Sequence, residues 1–142
     1  MKFIRFQELK EQALALCLAE GRPLPDPDQM NPIVLALIGD SVFTFYVRLR
    51  LLSVSSHVQV IHSIAAKTVS AVMQAKAMHA LEPALPEEEL SVVHRGRNAK
   101  SMAPKSASVS EYRAATAFEA LCGWLLLTGR EERLEMRGGA GL

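Results

Sequence analysis

Apolar residues recur along most of the chain at the three- and four-residue spacing that places them on one face of an α-helix. Ala, Leu, Met, Gln and Glu are frequent in these stretches, and no alternating β-branched run bounded by tight turns predicts a strand. At 142 residues the chain has the length of one ordinary domain. The pattern therefore predicts an all-α fold in a single domain, residues 1–142, with a core at about 6–137 and a loose tail at 138–142.

Prolines, glycines and capping residues delimit the predicted helices. Five long helices and a short last one are expected, at about Phe6 to Ala19, Pro32 to Leu52, His57 to Leu81, the segment PEEEL to HRGRNAK, Val109 to Leu127, and Arg130 to Arg137. Asn31 before Pro32 predicts an N-cap with proline in the first turn. Ser108 and Glu111 predict a capping box for the fifth helix. The second helix is apolar nearly all round, so we expect it to be central.

Overall composition is that of a globular protein, with 49% hydrophobic and 22% charged residues and a formal net charge of +1, so global charge predicts no partner. Charged residues interrupt the first 20 positions, and the longest strictly apolar run, residues 33–39, is far shorter than the roughly 18 residues of a membrane span. Cys17 and Cys122 lie in helical apolar patterns, which is typical of reduced core cysteines. We expect a cytoplasmic protein that contacts no membrane.

The charged residues are segregated along the chain. No acidic residue occurs between Asp40 and Glu82, or from Leu90 to Ser110. The densest basic stretch, HRGRNAKSMAPK, supplies the candidate phosphate-binding residues Arg95, Arg97, Asn98, Lys100 and Lys105. An ordinary solvated loop is the alternative. Aromatic residues that would stack on bases are absent from this stretch, which favours contact with the backbone of a duplex.

Two acidic residues lie on helix faces that are otherwise apolar or small. Asp40 occurs in LALIGDSVFTFY and Glu119 in ATAFEALCGWLLL, and neither has a basic residue at helical spacing. An unpaired buried carboxylate is costly, so each needs a partner. One alternative is a buried ion pair with Arg113, Lys67 or a histidine from another helix. The other is a divalent cation held by both carboxylates, because hard oxygen ligands suit Mg²⁺ or Mn²⁺.

Several segments resemble a known family. LIGDSV resembles the signature of the ribonuclease III family, and FEALCGWLLLTG resembles its second acidic motif. More closely, NPIVLALIGDSVFTFYVR, RGRNAK and YRAATAFEALCGWLLLTGREERL, in this order, are similar to the mini-ribonuclease III branch of that family. The similarity covers about residues 30–137.

The resemblance implies a helical ribonuclease III catalytic domain that acts as a homodimer and lacks the appended double-stranded-RNA-binding domain. It implies an Mg²⁺-dependent endoribonuclease, with Mn²⁺ as a substitute, that cleaves double-stranded RNA and matures the 23S ribosomal RNA precursor. A ribosomal protein that assists cleavage is a further candidate partner. Asp40 matches the signature aspartate and Glu119 the second-motif glutamate, so both are expected to be catalytic and to bind the metal.

The chain departs from the larger family at two positions. Ala36 stands where the signature has a further glutamate, and Thr116 where the second motif has another acid. We therefore expect one metal ion per site. The alternatives are a non-catalytic RNA-binding module of the same fold, associated with ribosome assembly, and a helical protein-interaction domain. The second helix and the third, which is rich in small residues, are expected to form the dimer interface.

Overall fold

The structure, a computed structural model, describes residues 2–99, 108–130 and 132–134. These ranges contain no strand, and their α-helices are α1 Lys2–Ala19, α2 Pro32–Arg50, α3 Val58–Thr68, α4 Ala71–Leu81, α5 Glu87–Arg97 and α6 Val109–Leu127. A single 3₁₀ turn, Glu82–Ala84, joins α4 to α5. The prediction of an all-α fold is confirmed. Of the predicted short last helix, residues 132–134 are helical, and residues 131 and 135–137 lie outside the described residues.

Two predicted helix starts are confirmed by their caps. The Asn31 side chain accepts a hydrogen bond from the backbone N–H of Ile33 at 2.8 Å, at the start of α2. Ser108 and Glu111 form both hydrogen bonds of the capping box at the start of α6. Each cap joins residues that are two or three positions apart, which is why the sequence alone indicates it.

The prediction of one long helix from His57 to Leu81 is wrong, because α3 and α4 are separate helices. Ser70 interrupts them with an extended backbone, φ −64° and ψ 155°, and caps α4. Its Oγ accepts a hydrogen bond from the backbone N–H of Met73 at 3.3 Å. A serine side chain that bonds the backbone in this way competes with helix continuation. Small and apolar residues keep helical spacing on both sides of the break, so the pattern does not reveal it.

The centre of the fold is α6, so the expectation of a central second helix is wrong. Every residue of α6 from Ala114 to Leu126 is buried except Glu119, which is half-buried. The neighbouring helices α2, α4 and α5 pack around it. The rings of Phe43 in α2 and Phe118 in α6 meet edge to face, with centroids 5.1 Å apart.

The helices α2 and α6 touch backbone to backbone where Gly39 crosses Gly123. A Cβ atom added at Gly39 would lie 1.7 Å from the carbonyl oxygen of Glu119. A Cβ atom added at Gly123 would lie 2.0 Å from the carbonyl oxygen of Leu35. Neither position therefore has room for a side chain larger than hydrogen. The contact fixes how α2 is rotated and how far along α6 it lies.

One apolar face of α2 is uncovered. Its large residues there recur at helical spacing and are between 45% and 65% exposed; they are Val34, Leu37, Phe45 and Leu49, called the α2 stripe below. By length and composition alone, with a mean hydropathy of 1.5, α2 is able to cross a membrane, as are many core helices of globular proteins. Its opposite face packs on α6. α2 is therefore a core helix with one uncovered stripe.

The helix α1 and the linker after it lie outside this core. Lys10 Nζ in α1 donates a hydrogen bond to the carbonyl oxygen of Leu126 at 3.0 Å. In the proline-rich linker, Asp28 Oδ1 accepts a hydrogen bond from Trp124 Nε1 at 2.8 Å. Both contacts reach the last turns of α6, so this helix also anchors the N-terminal part of the chain.

Gly39→Ala is expected to lower the free energy of unfolding by about 3 kcal/mol or more, because the added methyl group must push α2 away from the Glu119 carbonyl. Gly21→Ala is the matched control. Gly21 has φ 78°, but a Cβ there meets nothing within 4 Å, so only the left-handed backbone costs about 1–2 kcal/mol. Urea unfolding followed by circular dichroism measures both losses. Equal losses would show that the two helices are not in close contact.

Candidate active site

Asp40 and Glu119 meet beside the contact between α2 and α6. Gly39 rests against the backbone carbonyl of Glu119, and Asp40 is the next residue of α2. The two carboxyl groups are within hydrogen-bonding range of each other. Asp40 is exposed and Glu119 half-buried, so the pair opens to solvent on the Asp40 side. The structure thus brings together the two acids that the sequence singled out.

Burial and the neighbouring acid change the ionisation of Glu119. Desolvation, followed by the hydrogen bond and the negative charge of Asp40, raises the pKa of Glu119 to about 9. The Gln74 amide opposes this rise as a hydrogen-bond donor. Thr44 Oγ1 donates a long hydrogen bond of 3.5 Å to Asp40 Oδ1. At neutral pH and without a cation, Glu119 therefore keeps its proton.

No basic side chain among the described residues forms an ion pair with Asp40 or Glu119. The ion pairs found there join Arg22 to Glu20, Arg97 to Glu82, Arg130 to Glu88 and Arg133 to Glu89. Arg113 and Lys67, which the sequence offered as partners, are exposed and pair with neither acid. Within the described part of the chain, the alternative of a structural ion pair is therefore wrong.

The donor set is small but suits a hard cation. The described residues contain no group of three or more His, Cys, Asp or Glu side chains placed to hold a metal ion. Ala36 is buried and carries no ligand atom, and the Thr116 hydroxyl donates to the carbonyl oxygen of Tyr112 at 3.0 Å. Two carboxylates remain, Asp40 and Glu119. Mg²⁺ commonly takes one or two protein carboxylates and completes its coordination with water and substrate phosphate, so the pair fits this ion.

One residue of the site, Gln74 in α4, was missed by the sequence analysis. Its side chain is only 3% exposed, and it lies beside the Glu119 carboxyl group. Its Nε2 makes no hydrogen bond of regular geometry. The sequence does show Gln74 as a single amide on an otherwise apolar or small helix face, in AVMQAKAM. Glutamine is also common on exposed helix surfaces, so this feature does not by itself indicate a site residue.

The buried cysteine next to the site is not a nucleophile. Cys122 lies in α6 one turn after Glu119 and forms no disulfide. Burial, with the nearby Glu119 carboxylate, raises the pKa of the Cys122 thiol to about 12. A thiol of this kind stays protonated at neutral pH, so it acts as an apolar core residue, as predicted. Cys17 in α1 is also free of a disulfide and is half-buried.

Three of the five predicted phosphate-binding residues lie in the part of the chain that the structure describes. Arg95 Nη2 donates to the carbonyl oxygen of Met30 at 2.5 Å, and Arg97 pairs with Glu82 at 2.6 Å. Asn98 is exposed at the end of α5. Lys100 and Lys105 lie outside the described residues. The two arginines thus already make internal contacts, and RNA binding by this segment stays a prediction.

Known proteins share this fold. A family model of the Ribonuclease III domain matches residues 33–130, a range that includes Asp40 and Glu119. The crystal structure of a protein from Fusobacterium nucleatum superposes with a TM-score of 0.74 and 26% sequence identity, covering 77% of this chain and 90% of that one. The helical fold thus defines a ribonuclease III domain with its acidic pair at the crossing of two helices.

Proteins of similar sequence show to which branch of the ribonuclease III family the chain belongs. The chain is 49% identical over 111 residues to Mini-ribonuclease 3 of Brevibacillus brevis, which covers 77% of this chain and 83% of that protein. It is 50% identical over 107 residues to Mini-ribonuclease 3 of Desulfitobacterium hafniense, with 75% and 68% covered. The chain therefore belongs to the ribonuclease III family, in its mini-ribonuclease III branch, and is an endoribonuclease. The resemblance seen in the sequence is confirmed, and both non-enzymatic alternatives are set aside.

In a metal chelator, the stability of the folded chain is expected to fall as the pH rises from about 4.5 to about 9, relative to Glu119→Gln. The folded chain keeps a proton on Glu119 that the unfolded chain releases above its ordinary pKa, so raising the pH favours unfolding. Urea unfolding at a series of pH values measures the difference between the two proteins. Parallel curves for wild type and Glu119→Gln would contradict the raised pKa.

Proposed function

We propose that this endoribonuclease cleaves double-stranded RNA with Mg²⁺ held between Asp40 and Glu119, and that its substrate is the 23S ribosomal RNA precursor. The observation that carries the proposal is a pair of carboxyl groups within hydrogen-bonding range of each other, neither of which forms an ion pair with a described basic side chain. Two carboxylates this close cannot both ionise cheaply without a cation. The 23S precursor and an assisting ribosomal protein rest on similarity to mini-ribonuclease III alone, and the proposed cytoplasmic location rests on the two free cysteines.

Asp40 and Glu119 have different roles in the proposed reaction. A divalent cation bound here lowers the pKa of a water molecule and neutralises charge on the phosphodiester, and Mn²⁺ suits the same oxygen ligands. Asp40, on the exposed side, presents its carboxylate towards the approaching RNA. Glu119, on the buried side, releases its proton to solvent and then provides the second negative charge. Hydrolysis leaves a 5′-phosphate and a 3′-hydroxyl, and neither acid acts as the nucleophile.

The RNA is proposed to bind mainly through its phosphates. The segment of Arg95, Arg97, Asn98, Lys100 and Lys105 is the proposed contact, because it is basic and lacks aromatic residues for stacking. Arg95 and Arg97 are held by Met30 and Glu82, so they would supply positive charge from fixed positions at the end of α5. Recognition of this kind follows the shape and phosphate spacing of an A-form duplex more than base identity.

The uncovered face of α2 supports the proposal of a homodimer. The α2 stripe runs along the helix that carries Asp40, and large exposed apolar patches are typical of protein interfaces. Val58 and Val60 in α3 are also exposed, at 77% and 42%. A second copy of the chain would bury these side chains and bring two sites into one particle, with one duplex contacting both. The proposed interface keeps α2 and the first part of the predicted third helix, whereas the second part of that helix, α4, packs on α6.

Asp40→Asn and Glu119→Gln are each expected to lower cleavage of a perfect RNA duplex in Mg²⁺ by about 100-fold or more, because several kcal/mol of transition-state stabilisation depend on the bound cation. Duplex binding in a metal chelator should change little. Glu87→Gln, at an exposed acid in the first turn of α5, is the matched control and should cleave like wild type. Wild-type rates in the two site variants, or no cleavage by wild type, would refute the proposal.

Leu37→Glu is expected to convert the proposed dimer into a monomer, because a charge replaces the most exposed apolar side chain of the α2 stripe. Light scattering coupled to size-exclusion chromatography measures the particle mass. Val109→Glu is the control, since Val109 is similarly exposed, at 58%, but lies in the first turn of α6. A wild-type chain that is monomeric at all accessible concentrations would overturn the proposed dimer.

A further inference from the structure

Gln74 is a buried polar residue among apolar side chains of α4. It lies in α4 on the side that packs against α6, next to Ala75 and one turn before Met78, both buried. Its side chain is 3% exposed, so water does not satisfy the amide. Nε2 makes no hydrogen bond of regular geometry within the described chain.

A buried donor without a full hydrogen bond is unfavourable for folding. Leaving such a group unsatisfied costs about 1–3 kcal/mol, and an apolar residue of the same size avoids that cost. Methionine has nearly the volume of glutamine and is a good helix former, so α4 has no packing need for an amide at this position. The amide is therefore better explained by what it faces than by the stability of the core.

What Gln74 faces is the carboxyl group of Glu119. The amide stabilises the charged form of Glu119, lowering its pKa against the opposing effects of burial and Asp40. A carboxylate has two oxygens, and an amide can bond one of them while the other stays free to bind a cation. Donors that bond a metal-binding side chain in this way fix its orientation, and their loss commonly lowers metal affinity 10–100-fold.

We propose that Gln74 is a positioning residue for Glu119: its amide N–H bonds one carboxylate oxygen when Glu119 holds the divalent cation and directs the other oxygen towards Asp40. The inference rests on the metal-dependent function proposed above. In the structure, the Glu119 carboxyl group lies within hydrogen-bonding range of Asp40, and Gln74 Nε2 makes no hydrogen bond of regular geometry. Binding of the cation therefore completes the hydrogen bonding of a buried amide.

The test replaces the amide by an apolar side chain of similar size. Gln74→Met is expected to lower the affinity for Mn²⁺ about tenfold or more, measured by electron paramagnetic resonance of the free ion. Its melting temperature without metal should be unchanged or higher, because an unsatisfied donor has been removed. The maximal cleavage rate at a fixed, limiting Mg²⁺ concentration should fall, whereas the KM for duplex RNA should not change. Met78→Leu, a volume-conserving change one turn along α4, is the matched control and should leave all four quantities as in wild type.

Other outcomes overturn the proposal. Equal Mn²⁺ affinities for Gln74→Met and Met78→Leu would show that the amide does not act on the cation site. A Gln74→Met protein that melts several degrees lower and binds Mn²⁺ normally would make Gln74 a packing residue. Gln74→Leu repeats the test with a second apolar side chain, and failure of both variants to fold would likewise assign Gln74 to the core. A wild-type chain that binds no Mn²⁺ at all would instead refute the proposed function itself.

Discussion

The close approach of α2 and α6 is the constraint on which the rest of the structure depends. Gly39 and Gly123 let the two backbones touch, and this contact places the residue after Gly39 beside the side chain of Glu119. A larger residue at either glycine would separate the helices and the acids they carry. The crossing also positions α6 as the centre around which α4 and α5 pack, so the same interaction builds the core and the acidic site.

The close approach of the Asp40 and Glu119 carboxyl groups is electrostatically unfavourable, and a bound cation would offset this cost. Glu119 keeps a proton because it is buried beside a second acid, and the described chain offers no basic side chain that forms an ion pair with either carboxyl group. Proteins tolerate such unfavourable groups mainly where function requires them. The unsatisfied amide of Gln74 adds to this cost on the same side of the pair. The arrangement is stable only because the surrounding apolar helix faces hold it in place.

Local features of the fold could be predicted from sequence, and those that depend on distant residues could not. The caps at Asn31 and Ser108 join residues that are close in sequence, so the local sequence is sufficient to predict them. The absence of basic residues at helical spacing, also a local property, singled out Asp40 and Glu119 as acids that need a partner, but it left an ion pair with another helix and a shared cation as alternatives. The internal partner of Arg95, by contrast, is the Met30 carbonyl oxygen 65 residues away, and no local pattern around an arginine predicts such a distant acceptor. The apolar content of α2 likewise could not show which of its faces another helix covers.

If Asp40 and Glu119 form one metal site, as proposed, the buried Glu119 must lose a proton when the cation binds. Isothermal titration calorimetry of the wild-type chain with Mn²⁺ at pH 7, in buffers of different ionisation enthalpy, tests it directly. Because the pKa of Glu119 is raised to about 9, we expect release of about one proton for each ion bound. Binding of Mn²⁺ with no release of protons would contradict it.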